Sequence, residues 1–163
     1  MGENEILENI KEEMQDLQIE LSNILNNHEK SADFWRFIYV TLIFTSIFAL
    51  SISLSSSSQA VTGWLLNVMG EVMIDILSIA SGAITVILIF LSPNEKYLSH
   101  KNTINKLTKL KDEIKIFLIN QEDNIQEYKD ALASFYDEKN AILEHSLPTS
   151  NSVLVSIKNF FIK

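Results

Sequence analysis

Glu71, Asp75, Ser78, Gly82 and Thr85 recur at spacings of 4, 3, 4 and 3, which at the helical period sets them on one side of a single helix. Glu71 and Asp75 are also the only charged residues between Arg36 and Glu95. An ionisable side chain in a hydrophobic segment costs on the order of 2.5–3.5 kcal/mol on insertion scales, so it ordinarily faces protein or water and marks a pathway. Turned toward a common axis by several copies of the chain, the two carboxylates would form acidic rings with the Ser78 and Thr85 hydroxyls below them, an arrangement that favours cations. The same residues admit a plainer reading. Ser78, Gly82 and Thr85 would then let two helices approach closely, and Asp75 would be solvated among lipid headgroups. Tyr39, Ser46 and Ser53, at seven-residue spacing, form a weaker stripe that reads as helix packing.

No constellation for covalent or metal chemistry is found. The 163 residues contain no Cys, which excludes a disulfide framework, a thiolate zinc or iron–sulfur site and a thiol nucleophile. His28, His100 and His145 each lack a second His at ligand spacing, and His28 reads as a membrane-proximal coil position. Gly2 is the only glycine outside the hydrophobic region, so neither polar arm can form a phosphate-cradling glycine loop. Glu12-Glu13, Asp112-Glu113 and Asp137-Glu138 read as solvated helix faces. The expectation is a protein that is not an enzyme, with no catalytic residue, metal or cofactor.

Charge narrows the class further. The net charge is −8, with nine acids and three bases in residues 1–36 and ten of each in residues 93–163. A duplex-binding surface concentrates Lys and Arg against phosphates, so bulk DNA binding is not expected of this acidic chain.

The stretch from Phe37 to Gly70 is 34 residues without a charge, more than the roughly 20 that one helical crossing needs. Ser55-Ser56-Ser57-Ser58-Gln59 and Thr62-Gly63 divide it, giving spans at about 34–54 and 72–92 with Gly63 to Gly70 as an interfacial lead-in. The charged segment ahead of the first span argues against a secretory signal peptide. Lys30 and Arg36 precede the first span, Lys96 and Lys101 follow the second, and the connection has no base, so both termini are expected on the cytoplasmic side. Trp35 and Tyr97 stand where inner-interface aromatics belong and Trp64 where an outer one would.

Outside the spans the apolar period changes to that of a coil. Leu7, Ile10, Met14, Leu17, Leu21, Ile24 and His28 keep alternating steps of 3 and 4, an a/d seam over residues 1–33 that calls for a partner helix. With no Gly or Pro between Gly2 and Gly63, this helix can continue into the first span. Ser92-Pro93-Asn94-Glu95 reads as the start of a second long helix, with Ser at N-cap, Pro at N1 and Glu closing a capping box. A seam then runs through Leu107, Leu110, Ile114, Phe117 and Gln121, takes a four-residue step to Ile125, and resumes at Tyr128, Leu132, Phe135, Lys139 and Ile142. The step reads as a stutter in one helix spanning 93–146. Leu147-Pro148 ends it, and residues 147–163 form an apolar tail.

Together, an N-terminal helix ending in Phe34-Trp35-Arg36, two spans, Ser92-Pro93-Asn94-Glu95-Lys96 followed by His100, Leu107-x-x-Leu110-x-x-Glu113 and a late Leu147-Pro148 resemble the SLATT family, the SMODS and SLOG-associating two-transmembrane effectors of bacterial antiphage defence. The resemblance covers about residues 5–163. It implies a homo-oligomer, with four copies as the working number, in the bacterial inner membrane. Such an effector forms a pore and depolarises or permeabilises the cell when a nucleotide second messenger or oligonucleotide, made by a partner nucleotidyltransferase, reaches it. If such a signal binds directly, Lys101, Lys106, Lys109, Lys111 and Lys115 are the cations available for its phosphates. These lysines also read as a positive-inside flank and as e/g partners of the acidic N-terminal helix. The expected fold is all-α, a two-span transmembrane hairpin with long cytoplasmic helices in a coiled-coil-like region. The expected function is an ion-conducting effector, with a non-conducting anchored scaffold or receptor as the alternative.

Overall fold

The computed structural model describes residues 2–55, 71–120 and 124–149. Every described element is an α-helix: α1 (Glu3–Ser55), α2 (Glu71–Leu91), α3 (Pro93–Asn120) and α4 (Ile125–Glu144). The chain divides into two compact units, one of Met1–Phe34 with Lys96–Lys163 and one of Trp35–Glu95. Ser55, the first residue of the expected divide, ends α1, and the rest of that divide, Trp64, the 63–70 lead-in and most of the apolar tail lie outside the described residues.

The first unit is a three-helix bundle built on the heptad seam. Leu7, Ile10, Met14, Leu17 and Leu21 of α1 are buried with Leu107, Leu110 and Ile114 of α3 and Tyr128 and Leu132 of α4. The seam of α1 thus finds its partner within its own chain. Three contacts fix the helix directions. His28 meets His100, Lys11 lies 5.4 Å from the centroid of the Tyr128 ring, and Glu20 pairs with Lys139, so α1 runs antiparallel to α3 and parallel to α4.

The single helix expected over 93–146 is two helices that fold back on one another. Phe117 of α3 makes edge contacts with both Tyr128, at 5.0 Å between ring centroids, and Phe135, at 5.9 Å, which a continuous helix could not do. The break falls on Asn120-Gln121-Glu122-Asp123-Asn124, five polar residues in succession. Asn124 caps α4 in extended conformation, its Oδ1 accepting from the Gln126 and Glu127 amides while its Nδ2 donates to Glu127 Oε1. The four-residue step in the seam therefore falls between two separate helices, and the stutter reading is withdrawn.

Lys139 occupies a seam position yet is charged. It is buried, donates to both carboxylate oxygens of Glu20 at 2.9 and 3.0 Å, and lies 4.7 Å from the Tyr136 ring centroid. Burial first, then the carboxylates of Glu13, Glu20 and Asp16, push the Tyr136 phenol above its ordinary range. Those three acids of α1 therefore line the side that α4 covers.

In the second unit α1 continues without interruption to Ser55. Its apolar end is long and apolar enough to cross a membrane, with an 18-residue window of mean hydropathy 1.6 of which only 11% is buried. A core helix of the same composition would be mostly covered. Phe37, Phe44, Ile47 and Phe48 are instead exposed, as are Ile79, Ile89 and Phe90 of α2. The buried residues described here are small: Ser46, Ala49 and Ser81.

Ser92 separates α2 from α3 in a way the sequence does not indicate. It adopts a left-handed φ of 40°, its amide donates to the Leu88 carbonyl and its hydroxyl to the Ile89 carbonyl. Ser92 thus finishes α2 as a C-terminal cap, where the capping-box reading had it opening α3. Pro93, with no N–H to satisfy, begins α3 directly.

The bundle's dependence on its seam gives a first expected result. Leu17→Ala or Leu110→Ala, each at a position with essentially no exposure, lowers unfolding stability by about 2–5 kcal/mol. Ile19→Ala, 61% exposed, changes it by no more than about 0.5 kcal/mol. Denaturant unfolding of the detergent-solubilised chain, followed by circular dichroism, checks both.

Candidate functional site

The stripe on α2 is described at three of its five positions. Asp75, Gly82 and Thr85 are set along it, and all three are exposed. Glu71 is the first residue of α2 and Ser78 lies within it, but their side chains are outside the described residues. A Cβ built on Gly82 meets nothing within 4 Å, so this glycine is not making room for another part of the chain. The Thr85 hydroxyl donates to the Ser81 carbonyl at 2.9 Å, which satisfies its proton and leaves its oxygen lone pairs free to accept. Ser46, Ala49 and Ser81 are buried within the unit, whereas Gly82 and Thr85 of the stripe are exposed. Of the seven-residue stripe on α1, Ser46 is buried as its packing role requires, Tyr39 is half-buried, and the Ser53 side chain is not described.

Tyr39 and Ile43 of α1 and Thr85, Leu88 and Ser92 of α2 line a cleft of about 410 Å³ that ends at Glu95. The two apolar helices are therefore neighbours, and Thr85 stands on the rim of the space between them. The acid end of the stripe, at Asp75, lies nearly three helical turns away along α2.

The lysines considered for an anionic signal do not converge. Lys101, Lys106, Lys109 and Lys115 are exposed on α3 and Lys111 is half-buried. At 100° per residue Lys106 and Lys109 fall on one flank, and Lys101, Lys111 and Lys115 on the other. Lys109 is engaged by Glu113, one turn on, at 3.2 Å. The reading of these lysines as partners of the acidic N-terminal helix is not met among the described ion pairs, where the acid of α1 that forms one, Glu20, takes Lys139 of α4. No family model, curated protein or solved structure matches the chain. Function is therefore inferred from the chain's own geometry.

One polar site is not visible in the sequence pattern alone. His28 and His100, 72 residues apart, meet with their Nδ1 atoms 3.0 Å apart and ring centroids 5.2 Å apart, both essentially without exposure. Ser31 and Thr103, one turn along on either helix, are also buried, and their hydroxyls donate back to the carbonyls of Asn27 and Ser99. A signal for the pair does exist. His28 is a seam position, and His100 stands seven residues before the seam residue Leu107, so antiparallel pairing of the two seams brings the rings to one level. The pair does not make a metal site, since no group of three or more His, Cys, Asp or Glu able to hold an ion occurs among the described residues.

Burial lowers the pKa of both rings. Desolvation acts on His28, and desolvation followed by the charge of His28 brings His100 down to about 4. Both are neutral at pH 7. One Nδ1–H donates to the other Nδ1, which leaves His100 Nε2 buried without a partner. An unpaired buried acceptor costs less than an unpaired buried N–H, so the favoured tautomer has His100 donating through Nδ1 and His28 accepting.

The sign of the pH dependence follows. Above pH 6.5 neither state protonates His100 and its contribution is complete. As pH falls from 6.5 toward 4 the unfolded chain takes up a proton that the folded chain refuses, and stability is lost, to a limit of about 3 kcal/mol. Unfolding midpoints measured from pH 7.5 to 4.5 should fall for the native chain. The double substitution His28→Leu with His100→Leu should flatten that contribution.

Proposed function

We propose that the chain is a membrane-embedded, homo-oligomeric ion-conducting effector of the SLATT type, with α1 and α2 as a two-span hairpin and both termini on the cytoplasmic side. The observation that carries this reading is the line of Asp75, Gly82 and Thr85 along one stripe of α2, beside a helix surface otherwise as apolar as lipid. A carboxylate left facing hydrocarbon is costly, so the stripe calls for water or for another copy of itself. Among the described residues Asp75 and Gly82 are exposed, while Thr85 faces the cleft between α1 and α2. Copies arranged about an axis would bring Asp75, with Glu71 above it, into acidic rings at one mouth, and the Gly82 backbone and Thr85 hydroxyl into the lumen below. Such a path favours cations over anions.

The SLATT resemblance supplies the biological setting: a nucleotide second messenger or oligonucleotide from a partner nucleotidyltransferase would act on this effector in the bacterial inner membrane. Lys101, Lys106, Lys109, Lys111 and Lys115 are proposed as contacts for such an anion only in so far as several copies draw the two flanks of α3 together, since one chain spreads them. The alternative, a non-conducting anchored scaffold or receptor, gains nothing from the bundle, because the seams such a scaffold would offer to partners are closed within the chain.

Purified protein in liposomes loaded with a cation-sensitive dye tests the proposal. The native chain should leak, Asp75→Ala should lower the cation rate and reduce selectivity over chloride, and Gly82→Leu should lower conductance with the fold intact, since the added side chain meets open space within the chain. Tight vesicles under every condition, with and without oligonucleotide, would count against conduction. An unaltered leak in both variants would remove the stripe from the path.

A further inference from the structure

The bundle of α1, α3 and α4 is apolar through its middle and ends in a buried polar layer of His28, Ser31, His100 and Thr103. The layer lies where two helices leave the unit: α1 passes out at Phe34, six residues after His28, and α3 enters at Lys96, four residues before His100. The two hydroxyls donate within their own helices, whereas the Nδ1–Nδ1 contact of the two rings ties α1 to α3. We propose that the His28–His100 pair is a proton-operated latch, closed while both rings are neutral and released when they take up protons.

The chemistry of the contact sets how it opens. A single proton lies between the two Nδ1 atoms, carried by His100 and accepted by the lone pair of His28. The first proton from solvent enters at the free lone pair of His100 Nε2 while the shared proton passes to His28 Nδ1, so the charge rests on His28 and an N–H donor is created at an atom that has no hydrogen-bond partner. The second goes to the Nδ1 lone pair of His100, on which the bond now depends, leaving two N–H groups 3.0 Å apart on two positively charged rings. Both steps are relieved by moving the rings apart into water.

Among the described residues no carboxylate in the layer opposes this. On α1 the ionisable neighbours Glu29, Lys30 and Asp33 are exposed; on α3 Lys101 is exposed and Lys96 half-buried; and Glu144 and His145, at the end of α4, are exposed. The charge acting on His100 is that of His28. A carboxylate seated between the rings would hold the protonated pair together, and the rings meet each other instead.

The latch rests on the effector reading only for its consequence. If α1 and α3 lead into the conducting hairpin, releasing them at the point of exit couples cytoplasmic acidification to the state of the pore. The latch itself is tested without conduction. The chain has no cysteine, so Glu29→Cys and Lys101→Cys place two spin labels on exposed sites beside the pair in the full-length protein, in lipid nanodiscs. Electron–electron distance measurements should give one narrow distance at pH 7.5. At pH 4.5 that peak should be lost to a longer, broader distribution while helical content by circular dichroism is kept. His28→Leu with His100→Leu in the labelled chain should hold the narrow peak at both pH values. His100→Lys should lose it already at pH 7.5.

A native distance unchanged down to pH 4.5, or a broadening that survives in the double leucine chain, would overturn the latch. If the leucine chain misfolds, histidine nitrogen shifts of the native protein decide. Two rings titrating together with the loss of the narrow peak support the latch, and titration with no change in distance refutes it. Opening of the labelled site in a protein that leaves liposomes tight would retain the latch and discard the pore.

Discussion

α1 must satisfy two different surroundings with one unbroken helix. Over its first eight turns it offers a narrow apolar seam and a charged outer surface, which suits water on one side and two partner helices on the other. Beyond Arg36 the charge stops and large apolar side chains appear on every side, a composition suited to a medium that cannot hydrogen-bond. No glycine or proline intervenes, so the helix does not change at the junction and only its covering does. The remaining described helices cover one half or the other. The hairpin of α3 and α4 closes the seam, and α2 lies beside the apolar half with small residues at the contact.

Among the polar side chains that the bundle buries are three basic ones, His28, His100 and Lys139. They are handled differently. Lys139 has Glu20 at hydrogen-bonding distance and half-open to solvent, so the pair is not fully desolvated and the cost of burying ions is moderated. The two histidines have each other rather than a counter-ion and remain neutral, which is the cheaper course for a titratable group in a dry layer. Each pair also fixes register. Sliding α1 by one turn against its neighbours would part Glu20 from Lys139 and His28 from His100 together, leaving buried groups without partners, whereas the leucines would tolerate such a shift with modest loss.

Which parts of this were legible in the sequence follows from what each pattern encodes. The α1 seam was legible because a 3,4 repeat sustained over three heptads arises from little besides a buried helix face, and its members from Leu7 to Leu21 are buried as the period requires. The α3–α4 reversal was not, because a four-residue step keeps the next seam residue facing inward whether the helix continues or turns back. Only the polar run from Asn120 to Asn124 distinguished the two, and polar residues are equally at home on the surface of a long helix. The histidine pair was hidden by distance along the chain. His28 and His100 become neighbours only when the seams of α1 and α3 are known to pair antiparallel, and a continuous helix over 93–146 left that pairing open to other partners. In the apolar unit, alternation of small and large residues showed that α2 has distinct sides. It could not say whether Ser81 or Gly82 would be the one to pack, since the two differ by a single helical step of 100°.

That single step matters for what the apolar unit can do. Ser46, Ala49 and Ser81 are the small residues buried where the described parts of α1 and α2 are neighbours, the residue type that lets two helices approach closely. Had the stripe of Gly82 and Thr85 served that purpose, Asp75 would have been drawn toward α1, into a contact offering it no cation, since α1 carries no base after Arg36. Placing the contact on Ser81 instead leaves the carboxylate outside the pairing, with an open glycine and an accepting hydroxyl along the same line. Among the described residues the packing leaves Asp75, the one described acid within the hydrophobic stretch of α2, exposed, and that unfinished requirement is what further copies, or the water between them, would meet.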